Sequence, residues 1–100
     1  MTYNPVGIAQ LTEEQYGQLL MLLGESRDNL PQFYASLQKF LDVEFQRLRD
    51  AGVPVYKVEA KIEDFLFWCN DNGYEVNRDA WDSFIAFRAG LLHKQRLEGG

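Results

Sequence analysis

The chain has few of the side chains that ligate metals or act as nucleophiles. Its 100 residues include one cysteine, Cys69, and one histidine, His93. A structural zinc site typically takes about four Cys or His ligands, so we expect no metal. A catalytic Cys–His pair would have to meet at an accessible surface, whereas Cys69 ends the apolar run Phe65–Cys69 and is typical of a buried small hydrophobe. A lone cysteine forms no internal disulfide, which favours a reducing, cytoplasmic location.

Long apolar runs and phosphate-binding loops are also missing. No apolar stretch approaches the ~18 residues that a membrane span needs, and the segment Met1–Pro5 lacks the basic and apolar regions of a signal peptide. No glycine-rich loop leads into a helical pattern. The formal net charge is -5, which repels phosphate backbones. We therefore expect no membrane and no direct nucleic-acid partner.

One short segment is similar to the middle of an EF-hand loop. Residues Asn70–Gly73 read Asn-Asp-Asn-Gly. Aligning Gly73 with the invariant glycine of that loop places Trp68 at the first ligand position, and tryptophan does not ligate calcium. We interpret the segment as the C-terminal end of a helix.

Helical periodicity and its stop signals are the strongest features present. Apolar residues recur at spacings of three and four, and the glycines Gly24, Gly52 and Gly73 each end such a stretch. Thr12 with Gln15 has the pattern of a capping box, and Asn29 and Asn77 are suited to cap later helices. The pattern predicts an all-α fold, a compact bundle of four helices over about 12–23, 30–51, 59–72 and 78–96.

The segment between the second and third helices is ambiguous. Residues Val53–Val58 are rich in β-branched side chains, but Pro54 argues against a central strand. We interpret 53–58 as a short extended connection, and a brief pairing with residues 73–76 stays open. The predicted organisation is an irregular N-terminal tail over 1–10, a single helical domain over 11–97 and a frayed C-terminus over 98–100.

Paired carboxylates are numerous but give no catalytic signal, because catalysis needs one of them desolvated with a raised pKa. Glu44 differs from the other carboxylates in its position, because it lies between Leu41 and Leu48 on an apolar stripe. Its placement predicts a basic partner, for which Arg47, Lys61 and Arg88 are the alternatives. We expect no catalytic residue and no cofactor.

Aromatic residues are the surplus. The chain has two tryptophans, five tyrosines and seven phenylalanines, and those of the third and fourth helices occupy more than one helix face. Many serve the core, but exposed aromatics beside acids are typical of protein-binding surfaces. We therefore predict a small, acidic, non-catalytic protein-interaction module (a subunit, adaptor or inhibitor) that binds another protein or itself. The candidate contact residues are Phe67, Trp68, Trp81 and Phe87.

Two alternatives remain from the sequence. The acidic charge is compatible with a nucleic-acid mimic that inhibits a DNA- or RNA-binding protein, as small accessory or phage-encoded inhibitors do. A bundle cavity that holds a carboxylate such as Glu44 would instead suit a small-ligand binder or an enzyme.

Overall fold

Four α-helices and a two-stranded sheet make up the part of the chain that the structure describes. A computed structural model describes residues 4–27 and 30–99. In chain order the elements are β1 (Val6–Gln10), α1 (Glu13–Leu23), a 3-10 turn (Gly24–Arg27), α2 (Tyr34–Asp50), β2 (Val55–Glu59), α3 (Ile62–Asn72) and α4 (Arg78–Gly99). The four predicted helices are present, but the fold is not purely α-helical.

The sheet corrects the prediction at two places. β1 pairs in parallel with β2, from Val6 opposite Val55 to Gln10 opposite Glu59. The irregular tail predicted for 1–10 is therefore a strand over its second half, while residues 1–3 lie outside the described part. The extended segment at 53–58 pairs with β1 and not with residues 73–76, which follow α3.

β1 was not predicted because it is stabilised mainly by residues that are distant from it in the sequence. Pro5 and Gly7 both read as strand breakers, and the partner strand lies beyond two intervening helices. A two-stranded sheet is marginal alone and depends on packing against helices. Only the tertiary fold supplies that packing.

Helix boundaries follow the sequence signals where those signals are local. Thr12 caps α1 through a complete capping box with Gln15, and Gly24 closes the helix with a positive φ of 55°. α2 begins at Tyr34, later than predicted, because Phe33 at its N-cap is extended. The predicted cap Asn29 lies outside the described residues.

The later helices also shift at their ends. α3 begins at Ile62 and not at 59, because Glu59 belongs to β2. Asn77 caps α4, since its Oδ1 accepts a hydrogen bond from the backbone N–H of Ala80 at 2.9 Å. α4 continues to Gly99, so positions 98 and 99 of the predicted frayed end are helical, and Gly100 lies outside the described part.

The sheet lies between α4 on one face and α2 on the other. On the α4 face, the hydroxyl of Tyr56 is 2.7 Å from Nδ1 of His93. On the opposite face, Nζ of Lys57 lies 4.9 Å from the ring centroid of Phe45 on α2. Tyr56 and Lys57 are neighbours in β2, so their side chains point to opposite faces of the sheet. α4 therefore contacts the face of Tyr56, and α2 contacts the face of Lys57.

The core joins the helices to the α4 face of the sheet. Its most completely buried side chains come from four elements: Leu19, Val58, Phe65, Cys69 and Phe84. Phe65 of α3 packs against Phe84 of α4 at 5.6 Å between ring centroids. Among the described residues, no polar or charged residue is fully buried, so this core is apolar.

Candidate protein-interaction surfaces

Two of the four predicted contact residues are well exposed. Phe67 on α3 is 71% exposed and Phe87 on α4 is 48% exposed. Phe67 lies about 200° around the helix axis from the buried Phe65, so it points away from the core. These exposures leave apolar surface available on both helices.

Trp68 connects the core to this exposed surface. Its ring lies 5.6 Å from the ring of Phe84 beneath it and 6.0 Å from the ring of Phe87 beside it. The half-exposed Tyr74, which follows α3, packs on the same indole at 5.1 Å. We call these contacting rings, Trp68, Tyr74 and Phe87, together with Phe67, the exposed neighbour of Trp68 in the sequence, the aromatic patch.

Trp81, the remaining candidate, lies elsewhere. It is only 6% exposed and meets Phe65 edge-on, with 5.0 Å between ring centroids and an interplanar angle of 88°. The structure thus brings Trp68 and Phe87 together and places Trp81 in the core. The prediction grouped these residues because helix periodicity alone does not show which faces are covered.

Trp81 also borders a groove that the sequence did not predict. The groove has a volume of about 320 Å³ and is open to solvent on one side. Its floor is the segment 5–9, which includes most of β1. Its walls include residues of three helices: Tyr16 and Leu19 of α1, Leu37 and Phe40 of α2, and Trp81 and Ile85 of α4. We call it the β1-edge groove. No sequence signal indicated it, because its floor was predicted to be an irregular tail.

Glu44 forms an ion pair with one of the three basic residues predicted as its alternative partners. Arg47 donates hydrogen bonds to both carboxylate oxygens, at 2.8 Å and 2.7 Å. These hydrogen bonds lower the pKa of Glu44, and Glu44 does not line the β1-edge groove. A carboxylate that stays ionised on the surface is not prepared to act as a general acid.

Cys69 and His93 occupy different environments. Cys69 is 1% exposed, and burial raises the pKa of its thiol, which disfavours the reactive thiolate. His93 is engaged with the Tyr56 hydroxyl near the sheet. Neither side chain is placed to support the other in covalent catalysis.

The segment after α3 has the geometry of a helix end. Gly73 has a left-handed φ of 72°, and the side-chain amide of Asn72 donates to the carbonyl oxygen of Trp68 at 2.8 Å. Within residues 4–27 and 30–99, no group of three or more His, Cys, Asp or Glu side chains is arranged to hold a metal ion. None of the helices described combines the length and apolar character needed to cross a bilayer.

Comparison with protein-family models, curated proteins and solved structures gave no match to this chain. The functional argument therefore rests on the geometry of its own surfaces. Two such surfaces stand out in the described residues, the aromatic patch and the β1-edge groove. The two surfaces contain different predicted contact residues: Phe87 belongs to the aromatic patch, whereas Trp81 lines the β1-edge groove.

Proposed function

We propose that this chain is a small, non-catalytic protein-interaction module that binds a partner protein through the aromatic patch. The observation that carries the proposal is the stack of Trp68 on Phe87, in which one ring is anchored on the core and the other is half exposed. Aromatic side chains held rigid at a surface supply large contact area at low entropic cost.

The charges on and just after α3 favour a basic partner, while Arg88 of α4 places one cation 6.0 Å from the ring of Phe84 beneath the patch. α3 carries Glu63, Asp64 and Asp71 and no basic residue, and Glu75 follows it. All four acids are exposed. Acidic groups around an apolar centre speed the association of a positively charged partner and discourage acidic ones.

The experiment compares three forms of the chain as affinity baits in lysate of the native host. The forms are the unmodified protein, Phe87→Ser and the matched control Phe33→Ser, which removes a phenylalanine that is 69% exposed at the start of α2. We expect one stoichiometric partner that the unmodified chain and Phe33→Ser retain and Phe87→Ser loses. Equal recovery by all three forms would contradict the proposal.

Self-association is the second form of the same proposal. Light scattering coupled to size exclusion would show a concentration-dependent dimer that Phe87→Ser returns to monomer. A dimer that Phe87→Ser leaves intact would exclude the aromatic patch as its interface. The nucleic-acid mimic stays a prediction from net charge alone, and Glu44 gives the ligand-binding alternative no support because its pKa is lowered.

A further inference from the structure

The outer edge of β1 presents unpaired backbone groups. Val6 donates its N–H to the carbonyl oxygen of Pro54 at 2.9 Å, so the backbone groups of Val6 point toward β2. Backbone groups alternate in direction along a strand, which turns those of Ile8 toward β2 and those of Gly7 and Ala9 away from it. Among the described residues, no hydrogen bond from outside the sheet reaches Gly7 or Ala9.

These groups form part of the floor of the β1-edge groove. Gly7 and Ala9 both line it, and each offers one N–H donor and one C=O acceptor. Exposed strand edges of this kind are templates for another strand. An extended backbone is the partner that can satisfy donors and acceptors at this alternating spacing.

The residues in the walls of the groove determine which side chains such a partner should carry. Leu37, Trp81 and Ile85 in the walls are buried, and Phe40 is 56% exposed at the rim. Since residues of both α4 and α2 line the groove, a strand added here would be covered on both faces, and such strands are continuous apolar runs.

The charges along the groove cancel one another. Among the described residues that line it, only Arg78 and Asp82 are charged. Nε of Arg78 is 3.2 Å from Oδ1 of Asp82, so the two form an ion pair. A charged side chain in the occupant would lose water without gaining an unpaired counter-charge. The electrostatic match is therefore to an uncharged segment.

We propose that the β1-edge groove binds an extended, uncharged, apolar segment of a partner protein, which adds to β1 as a third strand. The two faces of that segment contact α4 and α2, and its backbone pairs with Gly7 and Ala9. This binding mode is strand addition, in which main-chain hydrogen bonds give affinity and side-chain pockets give selectivity. The proposal does not depend on the aromatic patch.

A second copy of this chain is a poorer occupant than a flexible segment. β1 lines the groove together with residues of α1, α2 and α4, and the same edge of another copy is flanked by its own helices. Strands must approach to about 4.8 Å to pair, which these flanking helices oppose. An isolated extended segment meets no such obstacle.

The first test selects occupants without assuming a sequence. The full chain is used to sort displayed peptides with a randomised core of five residues, the length of β1. We expect enrichment of uncharged cores rich in Val, Ile and Leu. Enrichment of charged or proline-rich cores, or no enrichment, would overturn the proposal.

The second test distinguishes strand addition from simple apolar binding. The best selected peptide is compared with two copies that carry N-methyl groups at alternating residues, one copy for each of the two possible registers. The methyl groups remove backbone donors and leave the side chains unchanged. We expect one methylated register to bind at least about tenfold more weakly. Slower hydrogen exchange at the amides of Gly7 and Ala9 should accompany binding of the unmethylated peptide. Equal binding by all three peptides would contradict strand addition.

The third test places the site in the groove. Ala86→Trp fills the groove from an exposed position in its α4 wall, and Ser83→Trp adds the same side chain at an exposed α4 position that does not line it. We expect Ala86→Trp to lose peptide binding and Ser83→Trp to keep it, with both variants folded by circular dichroism. Phe87→Ser should also keep it, which separates this site from the aromatic patch. Loss in Ser83→Trp, or a dimer in which the Gly7 and Ala9 amides are already protected, would refute the assignment.

Discussion

Gly7 of β1 lies directly against the backbone of α4 at Ile85. A Cβ at residue 7 would be 2.9 Å from the carbonyl oxygen of Ile85 and 2.7 Å from its Cγ2. The oxygen belongs to helical backbone and cannot move aside as a side chain could. The close approach of β1 to α4 therefore requires glycine at this position.

The first prediction follows from that contact. Gly7→Ala forces β1 away from α4 and should lower the free energy of unfolding by about 1–3 kcal/mol, the usual cost of overpacking. Urea denaturation followed by circular dichroism measures it. The matched control is Gly17→Ala at an exposed position of α1, where a Cβ meets nothing within 4 Å. The control should be about 0.5–1 kcal/mol more stable than the parent, and a neutral Gly7→Ala would contradict the close contact.

The second prediction concerns two phenylalanines of α3. Phe65 is 0% exposed and packs on Trp81 and Phe84, so Phe65→Ala should cost about 3–5 kcal/mol of the free energy of unfolding. Phe67 is 71% exposed, so Phe67→Ala should change it by no more than about 0.5 kcal/mol. The free energy of unfolding of both variants is measured by chemical denaturation. Similar losses in the two would contradict the assignment of Phe65 to the buried face of α3 and of Phe67 to its exposed face.

The third prediction concerns pH. Hydrogen bonds from Arg47 lower the pKa of Glu44 in the folded state. A lowered folded pKa means that the pair stabilises the protein above the unfolded pKa of a glutamate and loses this effect as pH falls through the folded pKa. Arg47→Gln should raise the pKa of Glu44, as measured by carbon-detected NMR. Its stability deficit should be present at neutral pH and vanish in acid.

The control for this pair is Arg49→Gln, on the same helix and two residues away. Arg49 forms no ion pair with Glu44, so the pKa of Glu44 should stay as it is in the parent. A shift of equal size in both variants would mean that general charge, and not the bidentate contact, sets the pKa of Glu44.

The fourth prediction uses Cys69 as a reporter of unfolding. Because the thiol is buried and its pKa is raised, labelling by a disulfide reagent at pH 8 should be at least about 100-fold slower than in urea. The control moves the thiol one position outward, as Cys69→Ala with Asn70→Cys, where position 70 is exposed. This variant should react at the rate of an unfolded chain, and fast labelling of the parent would contradict the packing of α3.

The sequence was sufficient wherever structure depends on neighbouring residues. The capping box is such a case: Gln15 N–H donates to Oγ1 of Thr12 at 3.1 Å, and Thr12 N–H donates to Oε1 of Gln15 at 2.9 Å. Gly73 is another, since a left-handed residue at a helix end favours glycine through its own backbone. These signals act over a few residues and can be read from the chain.

The strand β1 could not be predicted because its determinants lie elsewhere in the chain. Gly7 looks like a breaker until Ile85 is packed against it, and its partner Tyr56 follows two helices. The β1-edge groove was missed for the same reason. For the aromatic residues, the periodicity of α3 separates Phe65 from Phe67, but the burial of Trp81 depends on which elements cover α4.

The parallel pairing of β1 with β2 has a consequence for biosynthesis. β1 leaves the ribosome before every other described element, whereas β2 emerges after α2, and α4, which covers one face of the sheet, emerges last. Until β2 emerges the strand has no hydrogen-bonding partner, and until α4 emerges it has no covering helix on that face. Closing this long loop is entropically costly and slows folding. The nascent chain thus carries an unpaired β1 until β2 has emerged and an uncovered β1 until α4 has emerged, which is the interval in which chaperone binding would protect it.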